Sequence, residues 1–506
     1  MSTYGSSKSN VLAVVPESTP GTPVDPTAAT DYVALQTDLQ LTPNFNLLAN
    51  DEIRASIGQS KGIQGLESPE GGFSHYLKHS GTQGTAPEIG DLIEGAFGSK
   101  SVNSTERATT SSSTVSVIKM AAGGSDMARG KAFLIKDGTN GYSIRPILSM
   151  STNDATLGFK LANAPASGVN LGKCVNYAPA NTGHPTLSIH SYRGNGQVYE
   201  LLAGAIVSKF GIKAKAGDFI NANFGLSGTK YHFNPIRVSA TDTKLDFYDG
   251  STDYAATVTA KVYRDPHELA QALQDSMNAQ GASDTYTVTY MDNDSTYYGK
   301  FKISTSGATL SLKWSTGTNT ANTIGDKLGF SVGADDTGST TYYSDNAKDW
   351  ASPYTPTLDS SDPLVAKNNE VMIGDSDDYA CFCAQDIQFS LDNTPTDVLC
   401  ICSESGVDQK KITARKIDIQ ITALLDKHDV DKFKRYRANS DTSFAFNFGS
   451  KSGGNWEAGK CGCLYVPTCT ITAFELTDLD SLIGLKMTLS AFVDSSGNGE
   501  AYLNFL

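Results

Sequence analysis

No apolar run in this chain approaches the roughly 20 residues that a helical membrane span requires. The first ten residues, Met1 to Asn10, hold no apolar signal core, which reads as a product made and kept in a cytoplasm. Positive charge is also in deficit: 40 Lys and Arg stand against 54 Asp and Glu, for a net charge of −14. Tight binding to phosphate backbones draws on clustered cations, so that role is disfavoured. The excess acid fits ordinary solubility, or a surface that nucleic acid passes without sticking.

Catalytic and metal signatures are missing as well. There is no nucleophile elbow, phosphate loop or dinucleotide fingerprint, and no acid pair can be picked out for glycan hydrolysis. Three Cys-x-Cys pairs occur, Cys381/Cys383, Cys400/Cys402 and Cys461/Cys463. Zinc sites space thiols two to four residues apart. A spacing of one on a strand puts both thiols on one face, so these read as small core fillers. Disulfides are not expected in a cytosolic product. His75 and His79 are four apart, but no Glu lies between them on a helix. Asp292-Asn293-Asp294-Ser295 opens like a calcium loop yet lacks its Gly and closing Glu, so it reads as a hairpin turn. Asp375-Ser376-Asp377-Asp378 and Asp478-Leu479-Asp480 read as solvated loops. Catalytic, cofactor-binding and metal-binding residues are therefore each set at none, and no enzyme is expected.

What the chain does have is a long-range repeat. Asp38-Leu39-Gln40-Leu41-Thr42 matches Asp386-Ile387-Gln388-Phe389-Ser390 position for position: acid, aliphatic, Gln, large apolar, hydroxyl. Ala222–Gly228 aligns with Leu485–Ala491, and Phe210-x-Ile212 with Phe474-x-Leu476. Such spacing points to a whole domain occurring twice. Gly (47), Tyr (22) and Phe (21) are plentiful, which favours strands and turns over helices. The expected class is mainly β with few helices.

The expected organisation has five parts. Residues 1–30, polar and rich in Pro, Ser and Thr, read as an extended arm with no packed element. Residues 31–98 with 184–235 form the first copy. Strands are expected at Tyr32–Leu35, Glu52–Ile57 and Phe73–Leu77, and a helix at Pro87–Phe97 whose stripe is Ile89, Leu92, Ile93 and Phe97. Residues 99–183 read as a small inserted β domain and 236–350 as an inserted α+β domain. The latter carries a helix from Asp265, with Asp265 as N-cap, Pro266 first and Glu268 closing a capping box. Residues 351–506 form the second copy, where Lys416–Ile421 answers Phe73–Leu77, Asp429–Tyr436 answers the helix, and Ser443–Phe448 answers Pro185–His190.

The stretch Val14-Val15-Pro16-Glu17-Ser18-Thr19-Pro20-Gly21-Thr22, the Asp38–Thr42 strand and Ile53-Arg54-Ala55-Ser56 resemble the start of tail tube (major tail) proteins of long-tailed bacteriophages. Ala203–Val207, Val466-Pro467, Ile471-x-x-Phe474 and Asp478-Leu479-Asp480 carry the resemblance further. It covers 31–98, 184–235 and 351–506, while 236–350 is similar to an accessory module of tail and baseplate-type proteins. The resemblance implies a β-sandwich or barrel with a flanking helix, rings with an inner β-barrel, and stacking into a hollow virion tail tube. It implies self-association, contact with tape measure and with tail tip or terminator proteins, passage of DNA without specific binding, no cofactor and no membrane. Two copies per chain would make a homotrimer close a ring of six tube domains. The acid excess predicts a lumen face dominated by Asp, Glu, Ser, Thr and Asn. The alternative reading is a tail adhesin recognising cell-surface glycans.

Overall fold

The computed structural model describes residues 6–37, 39–54, 57–194, 196–280, 283–348, 356–375, 377, 381–425, 430–479, 481–494, 497 and 499–506. Of the segments named above, residues 1–5 and 351–355, Asp38, Ala55, Ser56, Asn195, Ser376, Asp378, Asp429 and Asp480 lie outside these. Strands dominate and helices are few. The chain divides into two compact units. The larger joins Leu12–Ser188, Ala203–Lys230 and Pro356–Leu506; the smaller joins Met1–Val11, Ile189–Leu202 and Tyr231–Thr355.

The larger unit starts at Leu12, within β1 (Val11–Pro16), whose Leu12 and Ala13 lie opposite Val33 and Tyr32. This corrects the view of residues 1–30 as an arm without packed structure. The apolar run Val11–Val15 within that polar stretch is long enough for a strand, and Leu12, Ala13 and Val14 are buried. β2 (Gln40–Thr42) pairs with β3 (Glu70–Tyr76). Glu52–Ile57, expected as a strand, has no strand among its described residues. Phe45–Leu48 and Ile63–Glu67 pair instead, closing a hairpin whose apolar residues face solvent.

α1 (Gly90–Phe97) buries Leu92, Ile93 and Phe97, the expected stripe. It begins three residues later than expected because Gly90 N donates to Pro87 O in a turn. Glu88 is thereby turned away from the helix, and its carboxylate accepts from Ala34 N at 3.1 Å. Gly98 ends the helix at φ +101°, a backbone state open to glycine, with its N–H on Glu94 O. β4 (Val198–Lys215) and β5 (Asn221–Ser227) complete this set: β3 pairs with β5, and β5 with residues 206–213 of β4.

Between α1 and β4, residues 107–171 hold a six-stranded antiparallel sheet over Phe133, Ile147 and Leu157. The flanking strands Gly98–Asn103 and Cys174–Pro179 pair with each other. In the smaller unit, α2 (Pro266–Asn278) starts as its cap residues predict. Asp265 Oδ1 accepts from Glu268 N at 2.9 Å. The return bond lands one residue upstream of the standard box, with Arg264 N donating to Glu268 Oε2 at 2.6 Å. Leu269, Leu273 and Met277 pack into a core with Phe247, Tyr286 and Trp314.

The larger unit resumes with β6 (Ala384–Leu399), β7 (Val407–Leu424), α3 (Val430–Ala438), β8 (Thr442–Ser452), β9 (Asn455–Leu479), β10 (Leu482–Ala491) and β11 (Tyr502–Phe505). β6 pairs with β7, β7 with β10 and β10 with β9. The first set has the same scheme: β2 with β3, β3 with β5, β5 with β4. The registers agree too. Gln40 lies opposite Gly72, Gly72 opposite Gly225, and Gly225 opposite Lys209. Gln388 lies opposite Gln420, Gln420 opposite Thr488, and Thr488 opposite Ala473. A bulge falls between Val207 and Lys209 in one set and between Ile471 and Ala473 in the other. One match shifts: Lys416–Ile421 answers Ser68–Phe73 rather than Phe73–Leu77, since Gln420 takes the place of Gly72.

The two sets meet edge to edge. β4 runs antiparallel to β6 from Lys209 opposite Asp392 to Lys215 opposite Asp386. One sheet therefore continues through β2, β3, β5, β4, β6, β7, β10 and β9. Beneath the seam Phe210 packs against Phe224 at 5.3 Å, Phe97 at 5.9 Å and Phe389 at 6.2 Å. β11 pairs with β9 and with Cys174–Pro179, tying the chain's end into the same layer.

Candidate assembly surface

Strict alternation along these strands gives the eight-stranded sheet two unlike faces. Ile212, Phe224, Phe389, Ile419, Met487 and their neighbours are buried on one face. The other face is polar, and its charges fall in rows across the strands. Lys209 lies opposite Asp392, which lies opposite Lys416. Lys215 lies opposite Asp386, then Thr422, Lys486 and Glu475 in turn. A third row runs Gly211, Ser390, Asp418, Ser490, where Ser490 Oγ donates to Asp418 Oδ1 at 2.7 Å and Lys416 Nζ sits 2.6 Å from Asp418.

Opposite charges facing each other across strands contribute about 0.2–1 kcal/mol per pair. This face is thus a mixed lattice, with lysines interleaved among the acids. Composition could not reveal it, because the net charge of −14 is a property of the whole chain. Strand alternation combined with the Asp386–Ser390 match is the signal from which this face could have been read.

The residues weighed for chemistry are dispersed. His75 Nε2 lies 3.3 Å from Glu88 Oε2, and burial lowers the pKa of His79. Asp294 Oδ1 accepts from Thr296 N and Tyr297 N in a turn, and Asp292 meets His267 Nε2 at 2.8 Å. Asp375 pairs with Arg435 at 2.7 Å, and Asp478 Oδ1 accepts from Ser481 N. Among the described residues no three His, Cys, Asp or Glu side chains converge as metal ligands would. A cleft of about 430 Å³ is lined by Ala214, Val371, Cys381, Phe382, Ile387 and Phe446, with no carboxylate among the described residues around it.

The cysteines divide into two groups, which corrects their common assignment to the core. Cys174, Cys461, Cys463 and Cys469 are buried, whereas Cys381, Cys383 and Cys402 are exposed and Cys400 is partly so. Cys400 and Cys402 sit in the turn between β6 and β7, where no facing layer covers them. Burial pushes the Cys174 thiol up to about 11 and that of Cys461 up to about 12. The thiolate is the reactive form. Alkylation of the native chain at pH 8 is therefore expected to mark Cys381, Cys383, Cys400 and Cys402 and to spare the other four until denaturant is added. Peptide mapping that found Cys463 labelled in the native chain would contradict this.

No curated protein matches the chain. Residues 7–260 match the family described as phage tail tube protein. That span begins just before β1 and takes in the whole of the first strand set. By that match over half of its length, the chain belongs to the phage tail tube proteins, structural components of the virion tail.

Proposed function

We propose that three chains close into a ring carrying six tube domains, and that rings stack into the hollow tube through which phage DNA passes. The observation that carries this is the second strand set, which repeats the pairing, register and bulge of the first and joins it edge to edge. We read the repetition as a duplicated tube domain: residues 31–98 with 184–235 as one copy, 351–506 as the other, and 99–183 and 236–350 as insertions on the outside. Among the described residues this joined sheet leaves one edge of β2 and the 473–479 part of one edge of β9 unpaired, which suits cyclic closure through heterologous contacts.

The polar face of the sheet becomes the wall of the lumen. Lys209, Lys215, Lys416 and Lys486 each have an acid opposite, and Lys213 lies between the neutral Asn221 and Gln388, so a phosphate backbone finds no unbroken cationic track. Solvent-facing Leu47, Leu48 and Ile63 on one hairpin, and Leu399 and Ile401 on the other, supply apolar contact for the neighbouring ring. A tape measure protein inside the tube and tip or terminator proteins at its ends complete the set of partners, with synthesis in the host cytoplasm.

Electron microscopy of the purified protein is the test. Hollow rods, with three-chain rings in native mass spectrometry, are expected. Compact monomers under every condition would sink the tube reading, and six-chain rings would sink the stoichiometry alone. Deletion of 236–350 is expected to leave rods intact. Duplex DNA incubated with rods at about 0.15 M salt is expected to elute apart from them; salt-sensitive retention would count against a passive wall.

A further inference from the structure

On the basis of the ring reading, we propose that successive chains join between the open edge of β9, residues 473–479, and the open edge of β2 in the next copy. The register is the one that β4 and β6 already use within a single chain. That internal seam is the template. In it Phe210 and Ile212 lie opposite Leu391 and Phe389, and both are 1% exposed. The matched registers put Phe474 and Leu476 in the places of Phe210 and Ile212, and Leu41 in the place of Phe389. Leu476 is nevertheless 60% exposed and Phe474 only half-buried.

The helices beside the two edges differ in the same sense. Six of the eight residues of α1 are buried, and none of α3 is. At the internal seam Asn393 of β6 donates to Ala96 O at 3.0 Å and to Val207 O at 2.9 Å. Its counterpart by register is Phe45, which lies opposite Glu67 as Asn393 lies opposite Arg415. Phe45 is 40% exposed, as are Val430 and Phe433 on α3 to 64% and 46%. Apolar surface thus lies open on both edges where the internal seam buries it, and a second copy is the partner that covers both.

Main-chain phase agrees. Ser68 N donates to Asn44 O at 2.8 Å, so even-numbered residues of this first strand bond toward β3 and the main chain of Leu41 faces the open edge. In the template, Ala216 N donates to Gln385 O at 2.8 Å, which makes the odd-numbered residues of β6 the bonded ones at the seam. Leu41 with Leu476 is then a hydrogen-bonded pair. Gln40 with Thr477 is a close non-bonded pair with Cα atoms about 4.5 Å apart, within the reach of a disulfide.

The test uses the full chain with Cys381, Cys383, Cys400 and Cys402 changed to serine. Gln40→Cys with Thr477→Cys, mildly oxidised, is expected to give covalent dimers and trimers on non-reducing gels. Each single variant, and the off-register pair Gln40→Cys with Glu475→Cys, is expected to stay monomeric. Absence of cross-links from a preparation that forms rods overturns this junction and leaves the tube reading standing. Cross-links from a preparation without rods support the junction and count against the tube. Leu476→Asp is a second variant whose change lies in solvent in the single chain, so folding is expected to be unaffected. It is expected to lower the fraction of chains in rings at least tenfold, and unchanged rings would overturn the junction.

Discussion

Phe210→Ala is expected to destabilise the larger unit by about 3–5 kcal/mol, the usual cost of emptying a buried aromatic site. Phe210 is 1% exposed and touches three other rings, from α1, from β5 and from β6 across the seam. Removing it opens a cavity at the point where the two strand sets are held together. The matching substitution, Phe474→Ala, is expected to cost the isolated chain only about 1–2 kcal/mol, because that ring is half-buried and its aromatic partners among the described residues are Phe433 and Tyr436 of α3, themselves partly exposed. The order of effects then reverses on assembly: Phe474→Ala should impair ring formation out of proportion to its stability cost. Urea unfolding of both variants, followed on the transition of the larger unit, checks the first claim. Equal midpoint shifts would mean that the two sites are equally packed within one chain, and the internal seam would lose its standing as a template.

Much of this was legible in the sequence for local reasons. The alternation of Asp386 to Ser390 and its echo at Asp38 to Thr42 marks strands with one apolar face. The correspondence of 222–228 with 485–491 survives as the register through Gly225 and Thr488. The caps of α2 and the stripe of α1 were readable because both depend on neighbours within a few residues. What stayed hidden depends on distant partners. Nothing near Lys209 announces Asp392, 183 positions further on, as its cross-strand neighbour. Likewise Val11–Val15 reads as part of a polar arm until Tyr32 and Val33 are seen beside it. The Cys-x-Cys spacing cannot distinguish a strand facing a core from a turn, so Cys461 and Cys400 looked alike. Whole-chain charge says equally little about a face whose lysines and acids alternate.

Glu500→Ala is expected to cost the larger unit about 3–5 kcal/mol, since it strands a guanidinium that has little access to water. Arg415 on β7 and Glu500, just before β11, lie 2.7 Å apart with side chains 8% and 10% exposed. Arg415 also donates to Ala180 O at 2.9 Å, so one cation ties β7 to the segment after Cys174–Pro179 and to the approach to β11. Bringing both charges out of water is costly, and their attraction together with the carbonyl bond offsets that cost only while both partners are present. The double variant Arg415→Met with Glu500→Leu therefore separates two explanations. If desolvation of an unpaired charge is the cause, the double variant should recover most of the lost stability, because apolar groups of similar volume need no partner. If the double variant is as unstable as Glu500→Ala, the pair matters through the bond from Arg415 to Ala180. That bond would then hold the segment after Cys174–Pro179 against the second strand set. Urea midpoints for Glu500→Ala, for Arg415→Met alone and for the double variant, at one pH and one salt concentration, are sufficient to decide between them.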